Sequence, residues 1–323
     1  MTAEETNALK SQLREAIEAG RQRLSIEAQF EKFNTLYKEK MLDPSLLRDF
    51  GWLTYYHLRN IPLNSILPRK RLLLLYLSLE LERPSLLHSL MLGEALKMKR
   101  NSPSQFKIMD FLTLWGIENL READWEKFKP DKGHSPNSLV ENLIGTYARE
   151  LKDEKSSAPD DFAVIVDRAL ETYKTNPHLP LYKGLVLASQ GRREEALAHY
   201  KTLLRRWPKK FFLWSKAEEL VPYKNLDVRI AMLCRAMSMV RDPAFLGDIR
   251  LRLANVLCKK GLYANARYQL EEYIRYYTSQ GWKIKRWCDV LLARVEASAP
   301  NIPAQPTPYP DFLPLADKFI NEG

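Results

Sequence analysis

Four positions of this chain recur at one fixed offset, and that recurrence limits the fold more than any other feature. Gly184, Gly191, Ala196 and Tyr200 are followed 70 residues on by Ala254, Gly261, Ala266 and Leu270. Seventy is two periods of 35, so another copy belongs between them, ending near residue 243. Pro243 is there, with Trp214 opening the first helix of this middle copy and Ala231 on its second. A period in this range marks stacked supersecondary units that bury their apolar faces on one another. Each copy reads as a helical hairpin. Glycine at 191 or 261 ends the first helix, and a proline such as Pro208 follows the second because it cannot continue one. Small residues stand where the two helices cross, since a larger side chain would push the backbones apart.

The stretch DDFAVIVDRALETYKTNP, residues 160–177, reads as an earlier second helix, and SLVENLIGTYARELKD, residues 138–153, as its first. GWKIKRWCDVLLARVEAS reads as a closing helix, which a stack needs to cover its last apolar face. The spacing of small residues, tyrosine and proline resembles the tetratricopeptide repeat (TPR). The tryptophan-type position at the start of that motif is unmatched, and Pro180 falls there. The resemblance implies an all-α protein in which residues 138–296 form a TPR-like right-handed helical-hairpin solenoid with a capping helix.

Residues 1–130 carry apolar positions at helical spacing without the repeat pattern, and we expect additional N-terminal helical hairpins there. Helices are expected after Asp43, Pro68 and Pro84, and one more with Ser102 as its cap. Phe128 to Ser138, polar and holding Pro130, Gly133 and Pro136, is the expected joint. Residues 297–323 hold six prolines, at 300, 303, 306, 308, 310 and 314, so an extended tail is expected. It serves as a linker, or as a strap packed on the repeats through Phe312, Leu313 and Phe319.

Composition excludes several classes. Only twelve glycines in 323 residues favours helix over turn-rich β structure. The N-terminus lacks the basic start and apolar core of a secretory signal. The most apolar run, RLLLLYLSLEL, has about half the ~20 residues a membrane span needs, so no membrane partner is expected. The three cysteines, Cys234, Cys258 and Cys288, are too far apart in sequence for a Cys-x-x-Cys zinc site and suit reduced thiols in a cytoplasmic protein. No Gly-rich phosphate loop or known catalytic motif is present. His88 lies in an apolar helix and reads as a hydrogen-bonded core residue, while His134 and His178 fall in loops. Adjacent acids such as Glu194–Glu195 read as solvated helix faces. The chain is therefore expected to be a non-enzyme with no cofactor and no metal.

Charge points to the kind of partner. Residues 181–300 hold 23 Lys and Arg against 11 acids, so the basic excess of the whole chain lies in the repeat half. In TPR arrays the first helices line the concave groove. Extending the 35-residue offset places Leu181, Lys216, Leu251 and Arg286 at one groove level, and Leu185, Leu220, Asn255 and Val290 at the next. Ser189, Lys224, Lys259 and Arg294 form the last level. An apolar floor edged by Lys216, Lys224, Asn255, Lys259, Arg286 and Arg294 suits an extended, acidic protein or peptide. The alternative is DNA or RNA. Arg205, Arg206, Lys209 and Lys210 in RRWPKKFFLW mix cations with aromatics, which neutralise phosphate and stack on bases. WKIKRW repeats the theme, although most of these aromatics also suit packing between repeats.

Three segments, PSLLHSLMLGEALKMK, FLTLWGIENLREADW and YPDFLPLADKFI, resemble bacterial proteins of the TOTE conflict systems. That resemblance implies TPR-type repeats followed by a small nucleic-acid-type β-barrel, a role in defence, and no active-site residue. The sequence stops where such a barrel is expected to begin.

Overall fold

Helix ends explain how the chain is divided. Thr2 accepts from the Glu5 N–H while Glu5 reaches back to the Thr2 N–H, a reciprocal cap that starts the first helix. Asp43 accepts from the Leu46 N–H at 2.9 Å and Ser85 from the His88 N–H at 3.2 Å, and each starts a helix. The computed structural model describes residues 2–127, 136–154 and 156–322, and within them the chain is all-α. The first eight helices are α1 (Ala3–Arg21), α2 (Glu27–Lys38), α3 (Pro44–Asn60), α4 (Ile66–Ser78), α5 (Leu86–Asn101), α6 (Ile108–Trp115), α7 (Leu139–Glu154) and α8 (Asp160–Thr172). There follow α9 (Leu179–Ser189), α10 (Arg193–Arg206), α11 (Phe211–Leu220), α12 (Leu226–Met239), α13 (Gly247–Lys260), α14 (Tyr263–Ser279), α15 (Arg286–Ser298) and α16 (Tyr309–Asn321). Among the described residues no helix is long and apolar enough to cross a membrane. Most of the expected joint lies outside the described residues, as does His134.

Packing divides the chain into Met1–Tyr182 and Lys183–Gly323, with the division inside α9. The first unit is held by polar groups placed at helix ends. Arg69 is buried, donates to the Leu58 and Ile61 carbonyls that α3 leaves unpaired, and pairs with Glu94 at 2.7 Å. Ser102 ends α5 and does not start a helix. The start of α6 is capped from a distance instead: Glu150 of α7 accepts from the Ile108 and Met109 N–H groups at 3.0 and 2.9 Å. α7 and α8, read from sequence as the first repeat pair, belong to this unit, where α7 packs on α5 and α6. His88 is a hydrogen-bonded core residue. It stacks on Trp115 at 4.3 Å, and its Nε2–H donates to the Trp115 carbonyl at 3.0 Å. Burial pulls its pKa down to about 4.

In the second unit each helix from α10 to α15 packs on the next, and α13 also packs on α15. Gly191 and Gly261 both take left-handed backbone, φ +77° and +81°, where the chain reverses into α10 and α14. Ala196, Tyr200, Ala254, Ala266 and Leu270 are all buried. Gly184 is small for a specific reason: a Cβ there would stand 2.5 Å from the Tyr200 ring.

The tail departs from expectation. Residues 309–321 fold as α16, with Pro310 in its first turn and Pro314 one turn later. Proline at these positions removes few hydrogen bonds, and packing on α12 and α10 outweighs the weak propensity. Ala316 and Ile320 are the buried contacts, whereas Phe312, Leu313 and Phe319 are half-buried. The residues before α16 cross α14, where Gln269 donates to Thr307 and Tyr309 at 3.0 and 2.9 Å. Arg235 of α12 then grips Asp317 through both carboxylate oxygens at 2.6 Å. Arg205 of α10 donates to the Ile320 carbonyl at 2.8 Å, capping the far end. The tail is thus a strap over α14, α12 and α10.

Two outcomes follow from this packing. Gly184→Ala should cost about 1–3 kcal/mol in urea unfolding, because Tyr200 is enclosed and cannot retreat. The double variant Gly184→Ala/Tyr200→Leu, which copies Ala254 and Leu270, should recover part of that loss. Stability should also fall as pH drops from about 6.5 toward 4, because the unfolded chain takes a proton that buried His88 refuses. His88→Gln should flatten that slope by up to about 1.4 kcal/mol per pH unit when unfolding is measured across this range.

Candidate functional site

The strap rests on α10, α12 and α14, the second helix of each hairpin. The first helices, α11, α13 and α15, carry most of the residues that the sequence pattern singled out, and Lys224 lies in the turn after α11. One buried carboxylate organises them. Glu218 of α11 is fully buried and pairs with Arg229 of α12 at 2.6 Å and with Arg252 of α13. Arg252 also donates to the Ser215 carbonyl at 2.7 Å and to Glu219 at 2.8 Å. Glu219 takes Lys216 as well, at 2.9 Å. Lys216 therefore lies on this face inside an ion-pair network, with Arg252 beside it.

Asn255 lies one turn further along α13, and its side-chain oxygen accepts from Arg294 of α15 at 3.4 Å. Beyond it Lys259 stands over the Tyr223 ring at 5.3 Å, with Arg229 also over that ring at 5.0 Å. Tyr223 is 68% exposed, and exposed Lys224 follows it in the same turn. Lys216, Asn255, Lys259, Lys224 and Arg294 thus belong to one neighbourhood linked through Arg252, Arg229 and Tyr223. Arg286 does not join it. It starts α15, two turns from Arg294, beside the loop that follows α14.

The apolar floor is narrower than expected. Leu220 and Leu251 are core residues, while Val290 is exposed and Leu181 and Leu185 are half-buried. Arg252, next along from Leu251, reaches the face in its place. A sequence offset sets the level along a helix, but one residue turns the direction by about 100°. Arg252, Glu218, Arg229 and Tyr223 were missed for this reason, although Arg252 and Asn255 share helical spacing.

The second cationic patch is divided. Arg205 is engaged with the strap. Arg206 covers Trp207 at 4.9 Å, and Lys209 and Lys210 are exposed in the turn before α11. Trp214 is buried and donates to the Pro208 carbonyl at 2.8 Å. All three cysteines are free and buried, and burial pushes the Cys234 and Cys288 thiols up to about 12 and 11. Among the described residues no cluster of His, Cys, Asp and Glu could hold a metal ion.

A family model described as Domain of unknown function (DUF7017) matches residues 177–299. The match begins just before α9 and ends just after α15, so it covers the repeated hairpins and stops short of α16. No curated protein matches the chain.

Glu218→Ala should destabilise the protein by about 3–5 kcal/mol in chemical unfolding, because two guanidinium groups would lose the carboxylate that compensates their burial.

Proposed function

We propose that the hairpins of residues 177–299 form a TPR-like right-handed solenoid. In this reading they act as a non-enzymatic scaffold for an extended, acidic polypeptide. The supporting observation is the placement of the strap. It covers the second helices, so the first-helix face is the one left to present Lys216, Arg252, Asn255, Lys259 and Arg294. This face is mixed in character. Glu219 stands among the cations, which disfavours a uniform polyanion such as a phosphate backbone. A polypeptide can space its acids to meet Lys259 and Arg294, offer a backbone carbonyl to the Asn255 amide, and set an apolar side chain against exposed Val290.

Affinity capture with the full chain, followed by titration of the captured polypeptide, tests this. Lys259→Glu/Arg294→Glu should weaken binding about tenfold or more, and wild-type binding should persist at ~0.15 M salt because apolar contacts are not screened. Equal binding by both proteins would overturn the reading.

A further inference from the structure

The loops that join one hairpin to the next carry a different chemistry. Residues 205–212, 240–246 and 279–287 hold eight Lys and Arg and a single acid, Asp242. Its carboxylate is occupied by the Ala244 N–H at 2.9 Å. Lys209, Lys210, Lys283 and Arg286 are exposed.

Aromatic rings lie in two groups along the same edge. Phe211 meets Phe245 at 5.8 Å across two successive loops, and Phe245 is 60% exposed. Beside Phe245, Pro243 and Leu246 form one wall of a cavity of about 330 Å³, and Tyr273, Tyr276 and Tyr277 form the other. Trp282 stands edge-on to Tyr276 and Tyr277 at 5.8 and 5.4 Å and is 46% exposed. Gly247 lets the Tyr277 ring lie close against the start of α13, because a side chain there would collide with that ring. Arg250 and Arg275 flank Glu272 at 3.6 and 2.5 Å, so the one carboxylate in the cavity is neutralised by two guanidinium groups. The Lys285 N–H donates to the Tyr273 hydroxyl at 3.3 Å, which holds the cationic loop against the cavity.

We propose that this inter-hairpin edge binds single-stranded nucleic acid. Phosphates lie on Lys209, Lys210, Lys283 and Arg286, one base enters the cavity against Tyr276, and a neighbouring base stacks on exposed Trp282. The cavity is of small-ligand size, apolar-walled and edged by polar groups, as a base requires. Exposed rings stack on unpaired bases, which a duplex keeps inside its own stack. Lys285 is taken by Asp248, but among the described residues Lys209, Lys210, Lys283 and Arg286 pair with no acid, which suits phosphate and contrasts with the mixed face of the first helices. This surface is separate from that face, and neither reading depends on the other.

Fluorescence anisotropy of the full chain with labelled oligo(dT), oligo(U) and a duplex of equal length tests the proposal. Single strands should bind more tightly than duplex. Four phosphate contacts predict that affinity falls about 50-fold between 50 and 200 mM salt. Trp282→Ala should weaken binding about tenfold or more. Lys283→Glu/Arg286→Glu should abolish it, while Arg14→Glu/Lys174→Glu, an equal charge change at exposed positions elsewhere, should leave most of it. Thermal melts confirm that the variants are folded, and photocrosslinking of 5-iodouracil oligonucleotides should map to Tyr276 or Trp282. No binding at 50 mM salt would overturn the proposal. So would binding that the control pair weakens as much as the edge pair, or that Trp282→Ala leaves unchanged.

Discussion

Glu218 is the constraint on which the repeat half depends. A carboxylate removed from water is costly unless it is paired and hydrogen-bonded. Here it meets Arg229 from the next helix and Arg252 from the helix after that. One buried charge thereby sets the angle among three helices, and it does so at their polar side, where apolar packing alone is indifferent to small rotations. The consequence reaches the surface. Arg252 is drawn toward α11, Glu219 collects Lys216, and Arg229 supports the Tyr223 ring on which Lys259 rests.

The first unit uses the same device at helix ends. Arg69 satisfies the last carbonyls of α3 while held by Glu94, and Glu150 satisfies the first N–H groups of α6 while held by Lys99 at 2.5 Å. Short helices with few good local caps are marginal by themselves. Charged groups supplied from elsewhere in the chain complete them, so each helix end is stable only when its neighbour is in place. This couples local helix formation to tertiary packing.

The strap divides the surfaces of the second unit. Covering α10, α12 and α14 takes their outer apolar residues out of water and leaves two polar surfaces with different charge patterns. The first-helix face alternates cations with Glu219 and Asn255. The inter-hairpin edge carries cations and exposed rings with little acid between them. Charge pattern, rather than total charge, separates the ligands proposed for each.

The sequence by itself determined the helical class, the hairpins from residue 179 onward and their turns. Gly191 and Gly261 occupy left-handed backbone that disfavours other residues, and Gly184 faces a ring that excludes any side chain. These are local requirements, and they leave local marks. Tertiary structure alone decided that residues 309–321 are helical, that Leu251 turns inward while Arg252 turns out, and that Arg286 stands apart from Arg294. Each of these depends on residues far away in sequence. The proline-containing α16 is stabilised by α12 and α10, and the facing of α13 is set by Glu218, 34 residues before Arg252. A spacing pattern reports which helix and which turn. The direction a side chain takes around that turn follows from the partner it meets after the chain has folded.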